Sequence, residues 1–117
     1  MYGVPENLDL TFLHGREVVQ IRLGLYQIQL HFHPDATIAV EGEWELFDAE
    51  GRELDRMESP RTKPFQLHRL LGKLVAGSEV SPPLWFALRF EGGELLRVYD
   101  RETQYESFSI QPGNIFV

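Results

Sequence analysis

The chain has 117 residues, 43% of them hydrophobic, 12% aromatic and 25% charged, which is the length of one domain and the make-up of a globular one. Its net charge of -7 argues against a general nucleic-acid binder, which needs cations to displace phosphate counterions. With no Cys, disulfides, thiolate metal sites and cysteine nucleophiles are excluded. No apolar run approaches the roughly 18 residues of a membrane-spanning helix, so no membrane partner is expected. The start, Met1 to Asn7, carries neither a basic stretch nor an apolar one. No secretion signal is therefore expected, and a cytoplasmic location is the default.

The first expected element is a short helix, Leu8–His14, capped by Asn7 and stopped by Gly15. A strand follows over Glu17–Leu23, with Val19, Ile21 and Leu23 on one face. Tyr26–His33 alternates cleanly: Ile28, Leu30 and Phe32 face one way, Gln27, Gln29, His31 and His33 the other. A turn at Pro34-Asp35-Ala36 leads to a return strand, Thr37–Phe47, and a last hairpin turns at Glu50-Gly51. Arg52–Thr62 is the least patterned stretch and reads as a linker.

The same series then recurs. A second short helix is expected over Phe65–Leu71, introduced by Pro64 and stopped by Gly72. Strands follow at Leu74–Val80, at Leu84–Glu91 with Phe86, Leu88 and Phe90 inward, and at Leu95–Asp100 beyond a Gly92-Gly93 turn. A hairpin at Pro112-Gly113 precedes a terminal strand, Ile115 to Val117. At an offset of 57, Leu10, Leu13, Gly15 and Val18 meet Leu67, Leu70, Gly72 and Val75. At 58, Leu30, Phe32 and Val40 meet Leu88, Phe90 and Val98. Glu43-Trp44-Glu45-Leu46 resembles Ser107-Phe108-Ser109-Ile110 after a further insertion. The simplest reading is two copies of one unit, over about 8–54 and 65–117. The fold expected is all-β with two short helices: an antiparallel sandwich or barrel of about eight strands, made of two pseudo-twofold related meanders. One domain, 1–117, is expected, because about 55 residues of meander bury too little apolar surface alone.

Charge is segregated along the chain. Glu41, Glu43, Glu45, Asp48, Glu50, Glu53, Asp55 and Glu58 face only Arg52 and Arg56 within their stretch. Glu41, Glu43 and Glu45 alternate with apolar neighbours and are expected to form a ladder on one sheet face. Such a ladder is either a solvated face or a docking surface for a basic protein. Trp44 alternates with the inward set and is expected in the core.

His31 and His33 lie on one strand face, about 7 Å apart, and are the candidate metal ligands. A three-residue turn at 34–36 would set His31 opposite Ala39 and diagonal to Glu41, with Asp35 near. The outer face of the second copy carries Trp85, Arg89, Arg97 and Tyr99, an interface-like composition. The repeat sets Arg89 opposite Arg97; a two-residue turn would set Arg97 opposite Leu88 instead.

No catalytic motif is found: no Gly-x-Ser-x-Gly, no phosphate-cradling glycine loop, no His-Glu-x-x-His. No enzyme activity and no cofactor are expected. Five motifs carry a resemblance to an uncharacterised family of small bacterial proteins with no assigned activity. They are Leu10-x-x-Leu13-x-Gly15-x-x-Val18, Tyr26-x-Ile28-x-Leu30-x-Phe32, Val40-Glu41-Gly42-x-Trp44-x-Leu46-x-Asp48, Arg89-Phe90-Glu91-Gly92-Gly93 and Tyr105-Glu106-Ser107-Phe108-Ser109-Ile110. The resemblance implies no catalytic residue. In size and charge alone the chain is also similar to immunity proteins that neutralise toxins. The leading expectation is a non-enzymatic binding module for a basic partner, using Glu41, Glu43 and Glu45. The alternatives are a metal or small-ligand site near His31 and His33, or a structural homodimer pairing through the terminal strand.

Overall fold

The computed structural model describes residues 3–58, 60–100, 108–111 and 115–116. The expected turn at Pro112-Gly113 and the terminal Val117 lie outside the described residues. Among the described residues there are ten strands: β1 (Glu17–Leu23), β2 (Ile28–His33), β3 (Ala36–Val40), β4 (Trp44–Phe47), β5 (Glu53–Arg56), β6 (Val75–Ser81), β7 (Trp85–Phe90), β8 (Leu95–Tyr99), β9 (Phe108–Gln111) and β10 (Ile115–Phe116). They form two five-stranded antiparallel sheets, ordered β1-β2-β3-β9-β10 and β5-β4-β8-β7-β6. The fold is a sandwich, one of the two architectures expected.

The alternation of β2, β3 and β7 fixes what lies between the sheets. Ile28, Leu30, Phe32, Ile38, Val40, Phe86, Leu88 and Phe90 are all buried, in one cluster that also holds Leu46, Leu96, Val98 and Ile110. Phe86 and Phe108 meet edge to face at its centre, ring centroids 4.8 Å apart. Side chains from both halves of the chain fill this one core.

The halves interleave. The expected return strand Thr37–Phe47 is two strands in different sheets, because the chain leaves the first sheet after Val40 and enters the second at Trp44. Hairpin β4-β5 therefore pairs with β8, and β9-β10 pairs with β3. The halves do not face each other as separate meanders. Gly42 marks this crossing, where a continuous strand could not serve both sheets.

The sheets are built alike. β1 carries a bulge between Val18 and Gln20 where it pairs with β2; β6 carries one between Val75 and Gly77 where it pairs with β7. Trp44 pairs with Val98 as Phe108 pairs with Val40. Where the strands begin, Gly15 donates its amide to the Val75 carbonyl and Gly72 to the Val18 carbonyl, each at 2.8 Å. Those two bonds tie the start of β1 to the start of β6 in both directions.

Four sequence expectations need correction. The two short helices are single 3-10 turns, Thr11–Leu13 and Leu67–Leu70. Asn7 does not cap the first; the Asp9 carboxylate accepts from the Thr11 amide at 2.9 Å instead. The inward face of β1 is only partly Val19, Ile21 and Leu23: the bulge shifts the phase so that Val18 is buried in place of Val19, Ile21 packs against the core as expected, and Val19 and Leu23 are about half exposed. The stretch read as a linker contains β5.

Gly93 ends the β7–β8 turn with φ +93°, and a Cβ there would fall 2.5 Å from the Ala49 Cβ in the β4–β5 turn. Gly93→Ala is expected to lose about 1–3 kcal/mol of stability, from backbone strain and the clash together. A urea denaturation midpoint measures it. Gly51→Ala, also left-handed at φ +85° but with open space around it, is expected to lose less.

Candidate functional site

The structure opens a cleft of about 860 Å³ at one end of the sandwich, a size that suits ligand recognition. Its floor is core: Ile28, Val40 and Trp44. One wall is the β1–β2 turn, Gly24 to Gln27, which stands out with Leu25 89% and Tyr26 82% exposed. The opposite wall is the chain after β5, with Met57 and Phe65. Trp44 and Phe65 stack at 6.4 Å and 20°, so floor and wall are continuous. Trp44 is the core residue the sequence predicts, 2% exposed, and it also lines the cleft.

The described residues of the wall beyond β5 form no helix or strand before Leu67, and one buried carboxylate ties them down. Asp55 accepts hydrogen bonds from the Arg61 guanidinium and from the backbone amides of Arg56 and Gln66, each at 2.8 Å. Arg61 also lies over Phe65, its Cζ 4.0 Å from the ring centroid, and donates to the Arg56 and Lys63 carbonyls. Its charge is thus committed to Asp55, with Glu58 at 3.9 Å. Glu41 and Glu58 line the cleft as well, which leaves its rim negative. The exposed Glu41 carboxylate accepts one hydrogen bond from the Gln27 amide at 3.1 Å.

The acidic ladder is not formed. Glu41 and Glu43 lie in the crossing between sheets, and only Glu45 is in a strand. Glu45 accepts from the Tyr99 hydroxyl at 2.5 Å and pairs with Arg56 at 3.1 Å. Alternation in sequence predicts a common face only while the strand continues, and here it breaks at Gly42.

On the outer face of the second sheet, Trp85 stands opposite Tyr99 and Glu45 opposite Arg97. The Arg97 guanidinium lies between two rings, 4.6 Å from Trp85 and 5.5 Å from Phe47. Burial, with Glu45 adding to it, pushes the Tyr99 hydroxyl above its ordinary pKa. So Trp85, Arg97 and Tyr99 come together with Glu45. Arg89 does not face Arg97: it pairs with Leu95 and donates to the Gly93 carbonyl, and Arg97 faces Ala87 rather than Leu88. Phe90 donates its amide to the Glu94 carbonyl, so the turn is Glu91 to Gly93, one residue longer than a Gly92-Gly93 turn and one position earlier than the repeat register sets it.

The histidine pair is also placed differently. Phe32 pairs with Ala36, so the three-residue turn is His33 to Asp35 and His31 faces Thr37, not Ala39. Both ring nitrogens of His31 are engaged, one with Gln29 at 3.0 Å and one with Thr37 at 3.2 Å. Burial, reinforced by Arg22, holds its pKa below the ordinary value. Among the described residues no group of three or more His, Asp or Glu side chains is placed to hold a metal ion. β10 is an edge strand of the first sheet.

Sequence reasoning missed the cleft. The signal was there in part: Leu25 lies between two expected strands, Met57 in the expected linker, and Tyr26 and Phe65 at the first positions of an expected strand and helix, all large apolar residues away from the predicted core. No family model, curated protein or solved structure matches the chain. Among the described residues, no helix is long and apolar enough to cross a membrane.

Proposed function

We propose that the protein is a non-enzymatic binding module that takes a basic protein partner at the cleft between the β1–β2 turn and the chain beyond β5. The observation that carries this reading is an open apolar cleft whose rim is negative, with Glu41 and Glu58 beside exposed Leu25 and Tyr26. Apolar walls supply affinity, and an acidic rim selects basic partners and speeds their approach. The excess of acids from Glu41 to Glu58 extends that field. An immunity-type inhibitor, covering the basic active site of a toxin, is the specific version. A cytoplasmic location fits a chain without cysteine. The matched bulges and reciprocal bonds support two copies of one ancestral unit.

Pull-down from the source organism's lysate tests it, with wild type beside a Glu41→Lys, Glu58→Lys variant. A basic protein retained by wild type, lost by the variant and released by salt is the expected result. Equal retention by both baits, insensitive to salt, would overturn the reading. A dimer of this chain alone would favour pairing through β10.

A further inference from the structure

We infer that the cleft accepts an extended peptide with a small branched aliphatic side chain flanked by basic residues, an inference that deepens the binding reading above and rests on it. The protein carries its own template for this ligand. The counterpart of the cleft in the other half lies between the β6–β7 turn and the end of β8, and there the N-terminal segment fills it. Val4 is 3% exposed and belongs to the core. Its amide donates to the Pro83 carbonyl in the β6–β7 turn at 2.9 Å. The Gly3 amide donates to the Asp100 carboxylate, just past β8, at 2.7 Å.

The two places correspond residue by residue. At the offset of 58 that relates β2 to β7 and β3 to β8, Tyr26 matches Leu84, Ile28 matches Phe86, Val40 matches Val98 and Gly42 matches Asp100. The offset of 57 that relates the two 3-10 turns and the two bulges sets Arg61 at the place of Val4. Arg61 cannot plug an apolar floor with its charge. It is held at the cleft wall by Asp55 and by its stacking on Phe65, and the place that Val4 fills in one half stands open in the other. Glycine before the valine is what the filled site tolerates, since Gly3 has φ +103° and a Cβ there would meet Pro83 at 3.3 Å. Around the open site the carboxylates are Glu41 and Glu58, with Glu43 next in the crossing, so flanking lysines or arginines complement it.

The test uses two end-blocked peptides, Lys-Gly-Val-Pro-Lys and Lys-Gly-Gly-Pro-Lys, titrated into the isotopically labelled full chain and followed by amide chemical shifts. The valine peptide is expected to bind roughly tenfold tighter, the worth of burying one such side chain. Shifts are expected at Gly24 to Gln27 and Gly42. A Leu25→Ala, Tyr26→Ala variant, altered only at exposed turn positions, is expected to lose most of that preference. Equal, salt-sensitive binding of both peptides would overturn insertion while leaving the acidic docking reading in place. Binding of neither peptide, or shifts at Leu84 and Asp100 instead, would overturn the inference. A basic partner captured by the pull-down would then dock in another way.

Discussion

Replacing Asp55 by alanine is expected to cost about 3–5 kcal/mol, the range for breaking a buried, hydrogen-bonded ion pair from one side. The Asp55 side chain is 5% exposed and that of Arg61 17%. Removing the carboxylate leaves the largely buried Arg61 guanidinium with only Glu58, 3.9 Å away, as a counter-charge, and leaves the Gln66 amide without its acceptor. The loss is read from chemical denaturation. Asp55→Asn keeps an acceptor and is expected to lose less. The double variant Asp55→Ala, Arg61→Met is expected to recover part of the loss, because no buried charge is then stranded. An additive double variant would show that Arg61 contributes through its stacking on Phe65 rather than through the ion pair. The same change should also loosen one wall of the cleft. Peptide binding is therefore expected to weaken in Asp55→Ala even below the temperature at which the chain unfolds.

Phe86→Ala is expected to cost a similar amount, about 3–5 kcal/mol, by a different route. Phe86 is fully buried in β7, between Val80 and Val98 on the neighbouring strands and edge-on to Phe108 of the opposite sheet. Its ring bridges the two layers, so the space left behind is enclosed on all sides and relaxes little. A domain of this size has on the order of 5–15 kcal/mol of stability to lose. The variant is expected to show a large drop in urea midpoint with little change in slope. Phe12→Ala, at a half-buried position on the first 3-10 turn, is expected to show a much smaller drop. Equal losses at the two sites would mean that the centre of the sandwich is not where the fold's stability is concentrated.

The all-β class, most strand positions and most of the core were legible because period-two alternation is a local property. Ile28, Leu30 and Phe32, or Phe86, Leu88 and Phe90, face one way whatever they pair with, and a buried face follows. Where a bulge interrupts that period, as at Val19, the same reasoning points the wrong residues inward. The glycines that end the 3-10 turns were legible too, since Gly15 and Gly72 take φ values of +84° and +81° that other residues avoid.

Register and partner strands are different in kind. Whether Arg97 meets Arg89, Leu88 or Ala87 depends on the length and the placement of one turn, and a one-residue change in either redirects every cross-strand pair. Whether Glu41, Glu43 and Glu45 form a ladder depends on whether the chain stays in one sheet, and it does not. The cleft was least legible of all. Its floor comes from β2, β3 and β4 and its walls from a turn and the segment after β5, places that no local pattern brings together. By itself, then, the sequence determined the all-β class, the faces of the strands without bulges, the approximate places of the turns and the excess of acids, all of which follow from residues within a few positions of each other. Only the tertiary structure decided the strand order, the interleaving of the halves and the cleft, because those depend on which distant segments compete for the same buried surface.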